Sequence, residues 1–139
     1  MKRALAIFLA AAAGLLGLAA PAPAFAIPQV VLVQNSGWME PFYSDPASAF
    51  KPLVTELVAS VVQPGDALVL AAFNQSLPGA PSPRGLLSEQ VDAKTVHAHV
   101  QAALAGLQTA RKPGGQALAD TDLGEAVDAA LNQVLGGKP

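Results

Sequence analysis

The chain has 139 residues, no cysteine and a formal charge of −2. Without thiols there can be no disulfide, thiolate metal site or cysteine nucleophile, and the acidic balance argues against a nucleic-acid partner, which would call for a basic patch. Removing residues 1–26, which read as a leader, leaves 113 residues with six cationic side chains against ten acidic ones, enough for one small domain.

The leader reading rests on charge and break points. Lys2 and Arg3 precede an uncharged Ala/Leu-rich run from Ala4 to Ala20; Pro21 and Pro23 interrupt it, and Ala24-Phe25-Ala26 offers small residues at alternate positions. Cleavage is expected after Ala26, giving a periplasmic or secreted chain with no membrane contact thereafter. As an uncleaved anchor the run would be at the short end, since a span takes about 20 apolar residues.

The first structural element is Val30-Val31-Leu32-Val33, four apolar residues without alternation, which reads as a strand buried on both faces of a parallel sheet. It empties into Gln34-Asn35-Ser36-Gly37-Trp38-Met39, at the strand end where such sheets hold their ligand sites. Ser44-Asp45-Pro46 signals a turn over 46–50. The main helix is expected to start between Phe50 and Pro52, with Phe50, Leu53, Val54, Leu57, Val58 and Val61 as one apolar stripe. Gln63-Pro64-Gly65-Asp66 ends it, and Ala67 to Phe73 is a second buried strand, completing a parallel strand-helix-strand unit. Asn74-Gln75 then falls at the same sheet edge as Gln34 to Met39.

Pro78 to Gly85 is loop by composition, and Leu86-Leu87 suggests a very short edge strand. Asp92 is expected to cap a helix from Ala93 to about Leu107 that buries Val96, Val100, Ala103, Leu104 and Leu107. Lys112-Pro113-Gly114-Gly115 breaks the chain. Asp122, with Glu125 three residues later, resembles a capping box opening a last helix, whose stripe is Leu123, Ala126, Val127, Ala130, Leu131, Val134 and Leu135 before Gly136. Two good strands and one short one against three amphipathic helices make an α/β fold, a partial doubly wound (Rossmann-like) three-layer sandwich. Three apolar helical faces exceed what so small a sheet covers, so the expectation is the N-terminal part of a longer domain that lacks its C-terminal strands.

Three segments in this order resemble the first half of a von Willebrand factor type A domain. Val31 to Met39 resembles that family's first strand and D-x-S-G-S-M loop, Pro64 to Phe73 its G-D-x-(apolar)-F second strand, and Thr121 to Val127 its T-x-L-x-x-A-L segment. The resemblance implies a metal-ion-dependent adhesion site, where an aspartate, two serines and a threonine hold a Mg²⁺-type cation with one position open to a partner's carboxylate. Those four positions fall on Gln34, Ser36, Trp38 and Thr121, of which only Ser36 and Thr121 keep the family's residue. The expectation is a degenerate site without metal; a bound Mg²⁺ would need Ser36 and Thr121 supplemented by Glu40, Asp120 or Asp122.

Three of the five aromatic residues after the leader, Trp38, Phe42 and Tyr43, lie within six positions of one another. Trp and Tyr anchor interfaces because they bury much area at small entropic cost. The binding residues expected are therefore Gln34, Asn35, Ser36, Gly37, Trp38, Met39, Phe42 and Tyr43, aided by Asn74 and Thr121, with a protein or peptide as partner. Core roofing over the first helix is the structural alternative. His97 and His99, two residues apart on a helix, point about 200° from each other and do not suit a shared metal. Ser36 lacks the glycines of a nucleophile elbow, since Gln34 and Trp38 stand in their places. The reading is thus a non-catalytic binding module, with a cation-dependent adhesion domain and a serine hydrolase-like enzyme as alternatives.

Overall fold

A computed structural model describes residues 27–134; the leader, its cleavage site after Ala26 and the chain beyond Val134 lie outside them. In chain order the elements are β1 (Pro28–Gln34), a 3-10 turn (Gly37–Met39), α1 (Glu40–Ser44), α2 (Phe50–Val61), β2 (Ala67–Phe73), β3 (Arg84–Gln90), α3 (Val96–Ala105) and α4 (Leu123–Val134). The sheet is mixed, in the order β1-β2-β3, with β1 parallel to β2 and β3 antiparallel to it. The chain is therefore α/β, with the parallel strand-helix-strand unit that the two apolar runs require. Among the described residues, no helix is long and apolar enough to cross a membrane.

Alternation along the strands divides the core. Val33, Leu68, Leu70 and Ala72 join Val58, Val62, Val96, Val100, Leu104 and Leu107 in one buried cluster under α2 and α3. Ala71, Phe73, Leu118 and Ala126 are buried outside that cluster, and α4 lies against β1.

The turn between α2 and β2 shows how one polar residue organises this end of the sheet. Gly65 takes a φ of +93°, a conformation that only glycine adopts without strain. The turn brings Asp66 indoors, where its carboxylate accepts the Gln63 N–H at 2.9 Å and the Ile27 N–H at 3.3 Å. Its main chain pairs with Val91 just past β3. One buried carboxylate thus joins the start of β1, the end of α2 and the start of β2.

Several boundaries differ from the sequence expectation. β3 is seven residues long rather than a Leu86-Leu87 stub, because main-chain pairing with β2 carries Arg84, Ser88, Glu89 and Gln90 along. α1 was not expected; Glu40-Pro41 opens it in the manner of a first-turn proline. α3 begins at Val96, since the Asp92 carboxylate closes a tight turn onto the Lys94 N–H at 2.7 Å and does not cap the helix. Asp122 does cap α4, accepting the Glu125 N–H at 2.8 Å. The return half of the capping box is missing, because the Glu125 carboxylate instead meets Ser76 Oγ at 2.8 Å.

The largest departure concerns the helix stripes. On α2 the buried positions are Thr55 and Val58, with Val62 just beyond, while Leu53, Leu57 and Val61 stand 65 %, 62 % and 52 % exposed. Among the described side chains of α4 only Ala126 is fully buried, and Leu123, Val127 and Leu131 face solvent. Each stripe is wider than the sheet beneath it.

Asp66→Ala removes two charge-assisted hydrogen bonds from a buried position. It should destabilise the fold by about 2–3 kcal/mol in urea unfolding, whereas Leu53→Ala on the exposed flank of α2 should change stability by less than about 0.5 kcal/mol.

Candidate functional site

β1 delivers its last residues to the carboxyl edge of the sheet, where Asn35 acts as a junction. Its N–H donates to the Phe73 carbonyl at 3.0 Å and its carbonyl accepts the Ala110 N–H at 2.7 Å. Its side chain donates to the Gln108 carbonyl at 3.0 Å and accepts from the Asn74 amide at 2.9 Å. Asn74 is in turn held by Ser82 Oγ, and its carbonyl receives the Asp122 N–H at 3.4 Å. Asn35 and Asn74 thus come together as the sequence suggests, but as parts of the frame.

The segment Gln108–Leu118, which sequence reasoning passed over as a chain break, folds back over this edge. Arg111 bridges to Ala117, the Leu118 N–H donates to Ala110, and Gly114 and Gly115 turn the tip with φ of +100° and +90°. Pro113-Gly114-Gly115 was the available signal, since a Pro-Gly turn between two short segments marks a hairpin. The Gly37 N–H donates to the Leu118 carbonyl at 2.6 Å, and a Cβ on Gly37 would sit 3.2 Å from the Ala117 Cβ. Glycine is there because the hairpin passes so closely.

With the hairpin in place, the loop after β1 divides sharply. Ser36 is fully buried, its Oγ accepting the Gln34 amide at 2.8 Å. Met39 packs against the core cluster. Tyr43 is only 7 % exposed; its hydroxyl donates to the Gln34 carbonyl at 2.7 Å and its ring meets Phe50 edge-on at 5.5 Å. Lys51 Nζ lies 5.6 Å from that ring while donating to the Ala105 carbonyl at 2.9 Å. Burial pushes the Tyr43 hydroxyl up from 10 to about 12. Trp38 points outward and is 77 % exposed, and Phe42, stacked at a tilt on Phe50 at 5.9 Å, is half exposed. Of the three clustered aromatics, Trp38 and Phe42 form the surface and Tyr43 roofs the core.

The oxygen-bearing residues that a cation would require do not converge. Glu40 pairs with Arg111 at 2.8 Å, Asp122 caps α4, and Thr121 and Asp120 are exposed. Glu40 Oε2 is buried without a partner, the feature of this loop that invites a cation. A guanidinium already stands beside that carboxylate, however, and among the described residues no three acidic or imidazole side chains form a cluster. Neutral Gln34 and Ser36, bonded to each other, supply no charge to offset the dehydration of Mg²⁺. The donor set does not fit a hard divalent ion.

The histidines stand apart from this edge. Both lie on α3, His97 at 2.8 Å from Glu56 and His99 at 2.7 Å from Glu89. Beside the hairpin, Asn35, Asn74, Gln108, Thr109, Arg84 and Arg111 contribute to an open cleft of about 670 Å³. Comparison with known protein families, curated proteins and solved structures found no match to this chain.

Tyr43 makes a prediction with a definite sign. A phenol whose folded pKa exceeds its unfolded value stabilises the fold fully below pH 10, and that contribution is lost as pH rises toward about 12. Chemical unfolding of the parent chain should show declining stability across that window. In Tyr43→Phe the decline should largely disappear, while stability at neutral pH falls by about 1 kcal/mol for the lost bond to Gln34.

Proposed function

We propose that this chain is an exported, non-catalytic binding module resembling the first half of a type A domain, and that it grips a protein or peptide through Trp38 and Phe42 on the loop after β1. The observation that carries this reading is a largely exposed indole on a fixed backbone. Gly37 is tied to Leu118, Met39 N–H to the Ser36 carbonyl at 2.9 Å, and Tyr43 to Gln34, so the turn bearing Trp38 is held on both sides. A rigid aromatic pays little ordering entropy when a partner covers it, and Trp is enriched among the residues that dominate interface energy. Phe42 lies four residues on, which places both rings on one side of the turn. A groove runs from Phe42 past Ala49 and Phe50 to Leu53. Asn35, Ser36, Tyr43 and Asn74 serve this surface by positioning it.

A cation-dependent adhesion site is the second reading, and the unpartnered Glu40 Oε2 is what favours it. In that case a divalent ion would be required for capture.

Trp38 is the chain's only tryptophan, so its fluorescence reports on the loop directly. Peptides selected from a random library against the chain should shift that emission to the blue. Trp38→Ala should weaken their binding by at least about 2 kcal/mol, as a central interface anchor does, with the thermal midpoint nearly unchanged. Binding that survives Trp38→Ala would count against the loop, and binding that appears only with Mg²⁺ or Mn²⁺, with matching heat in calorimetric titration, would establish the ion reading.

A further inference from the structure

We propose that the cleft beside the hairpin binds a small organic acid, its carboxylate meeting the Arg84 guanidinium and a second oxygen of the ligand meeting Thr109. The cleft opens between the loop from Asn74 to Arg84 and the Gln108–Leu118 hairpin, and its volume of about 670 Å³ falls in the range of roughly 300–1,000 Å³ usual for small-molecule sites. Neither Trp38 nor Phe42 borders it, so this surface is distinct from the aromatic one.

Both walls are fixed by hydrogen bonds within the chain. On one side Ser82 Oγ accepts the Asn74 N–H at 2.9 Å, Ser76 Oγ accepts the Ser82 N–H at 2.9 Å, and Leu77 and Ala80 exchange main-chain hydrogen bonds at 3.1 and 2.9 Å. On the other, Asn35 donates to the Gln108 carbonyl at 3.0 Å and accepts the Ala110 N–H at 2.7 Å. A cleft already formed loses little ordering entropy when a ligand enters.

The charges around the cleft have one sign. Arg84 and Arg111 border it and no acidic side chain does, in a chain whose acidic residues outnumber its basic ones. Arg111 is engaged, donating to the Glu40 carboxylate at 2.8 Å and to the Gly115 carbonyl at 2.9 Å. Arg84 forms no ion pair among the described residues, while its main chain is held opposite Ala72 at the start of β3. One available guanidinium offsets one negative charge, and its planar fork matches the two oxygens of a carboxylate. A phosphate dianion would call for a second free cation.

Thr109 is the independent observation. It is only 7 % exposed, yet neither its hydroxyl nor its N–H has a hydrogen-bond partner among the described residues. Buried polar groups are nearly always bonded. The hydroxyl is not sealed off, and the surface that Thr109 retains opens on the cleft it borders. A carbonyl or hydroxyl oxygen of a ligand would satisfy it. Leu77, Pro81 and Pro83 add apolar surface to the same cleft. The ligand that fits is a monocarboxylate with an apolar body and one further acceptor oxygen, the composition of an acylated amino acid.

The test is the amide spectrum of the isotope-labelled chain, expressed with its leader and titrated with N-acetyl-leucine, N-acetyl-phenylalanine, their neutral carboxamides and inorganic phosphate. The two acids should shift Gln75, Gly85 and Thr109 saturably, and the carboxamides and phosphate should not. Arg84→Gln, at an exposed position, should weaken binding of the acids at least about tenfold, and Thr109→Val about threefold to fivefold, with the thermal midpoint of Arg84→Gln unchanged. Failure of both acids to shift these amides would overturn the proposal. So would carboxamides that bind as well as the acids, phosphate that binds more tightly than they do, or affinity that survives Arg84→Gln.

Discussion

Everything at the carboxyl edge of the sheet depends on how the main chain leaves β1. A parallel strand that ends at a sheet edge has polar groups to satisfy and no strand continuing beside it, and here Asn35 meets that demand with both its main chain and its carboxamide. Because its partners come from β2, the Asn74 loop and the returning hairpin, three separate parts of the chain are brought to one point. The hairpin then closes on Gly37, and that closure buries Ser36 and turns Trp38 outward. The exposure of Trp38 is thus a consequence of main-chain hydrogen bonding several residues away.

The second constraint is area. Three strands offer a narrow platform, and the helices packed on it bury only the residues directly above the sheet or against a neighbouring helix. Val58 and Val62 satisfy both conditions; Leu53, Leu57 and Val61 satisfy neither. Three large apolar side chains are thereby left exposed on one flank of α2.

The strands, the parallel unit and the helices were legible because each leaves a local period: continuous apolar runs for β1 and β2, and the 3.6-residue stripe for α2 and α4. Which flank of a stripe is covered was not legible, since Leu57 and Val58 are equivalent to any periodic reading and differ only in what lies beside them. Asp92 and Asp122 show the same limit at helix starts. Both precede apolar helical segments, yet one closes a turn and the other caps, a difference decided by where the preceding strand or loop delivers the chain. Position and residue type located the candidate site at the end of β1. Its division into frame and surface depended on the hairpin, whose contacts span some seventy residues of sequence.

That division bears on the resemblance to an ion-site loop. In the resembled arrangement a carboxylate at the position of Gln34 and a hydroxyl at that of Trp38 would both face a cation. Here the Gln34 carboxamide bonds Ser36 instead, so the hydroxyl that remains in place is already engaged within the protein. The charge that a cation would bring is supplied by Arg111 against Glu40, from the hairpin that covers the edge. With Gly37 bonded to the Leu118 carbonyl and Ser36 buried beneath the hairpin, the turn presents Trp38 to solvent.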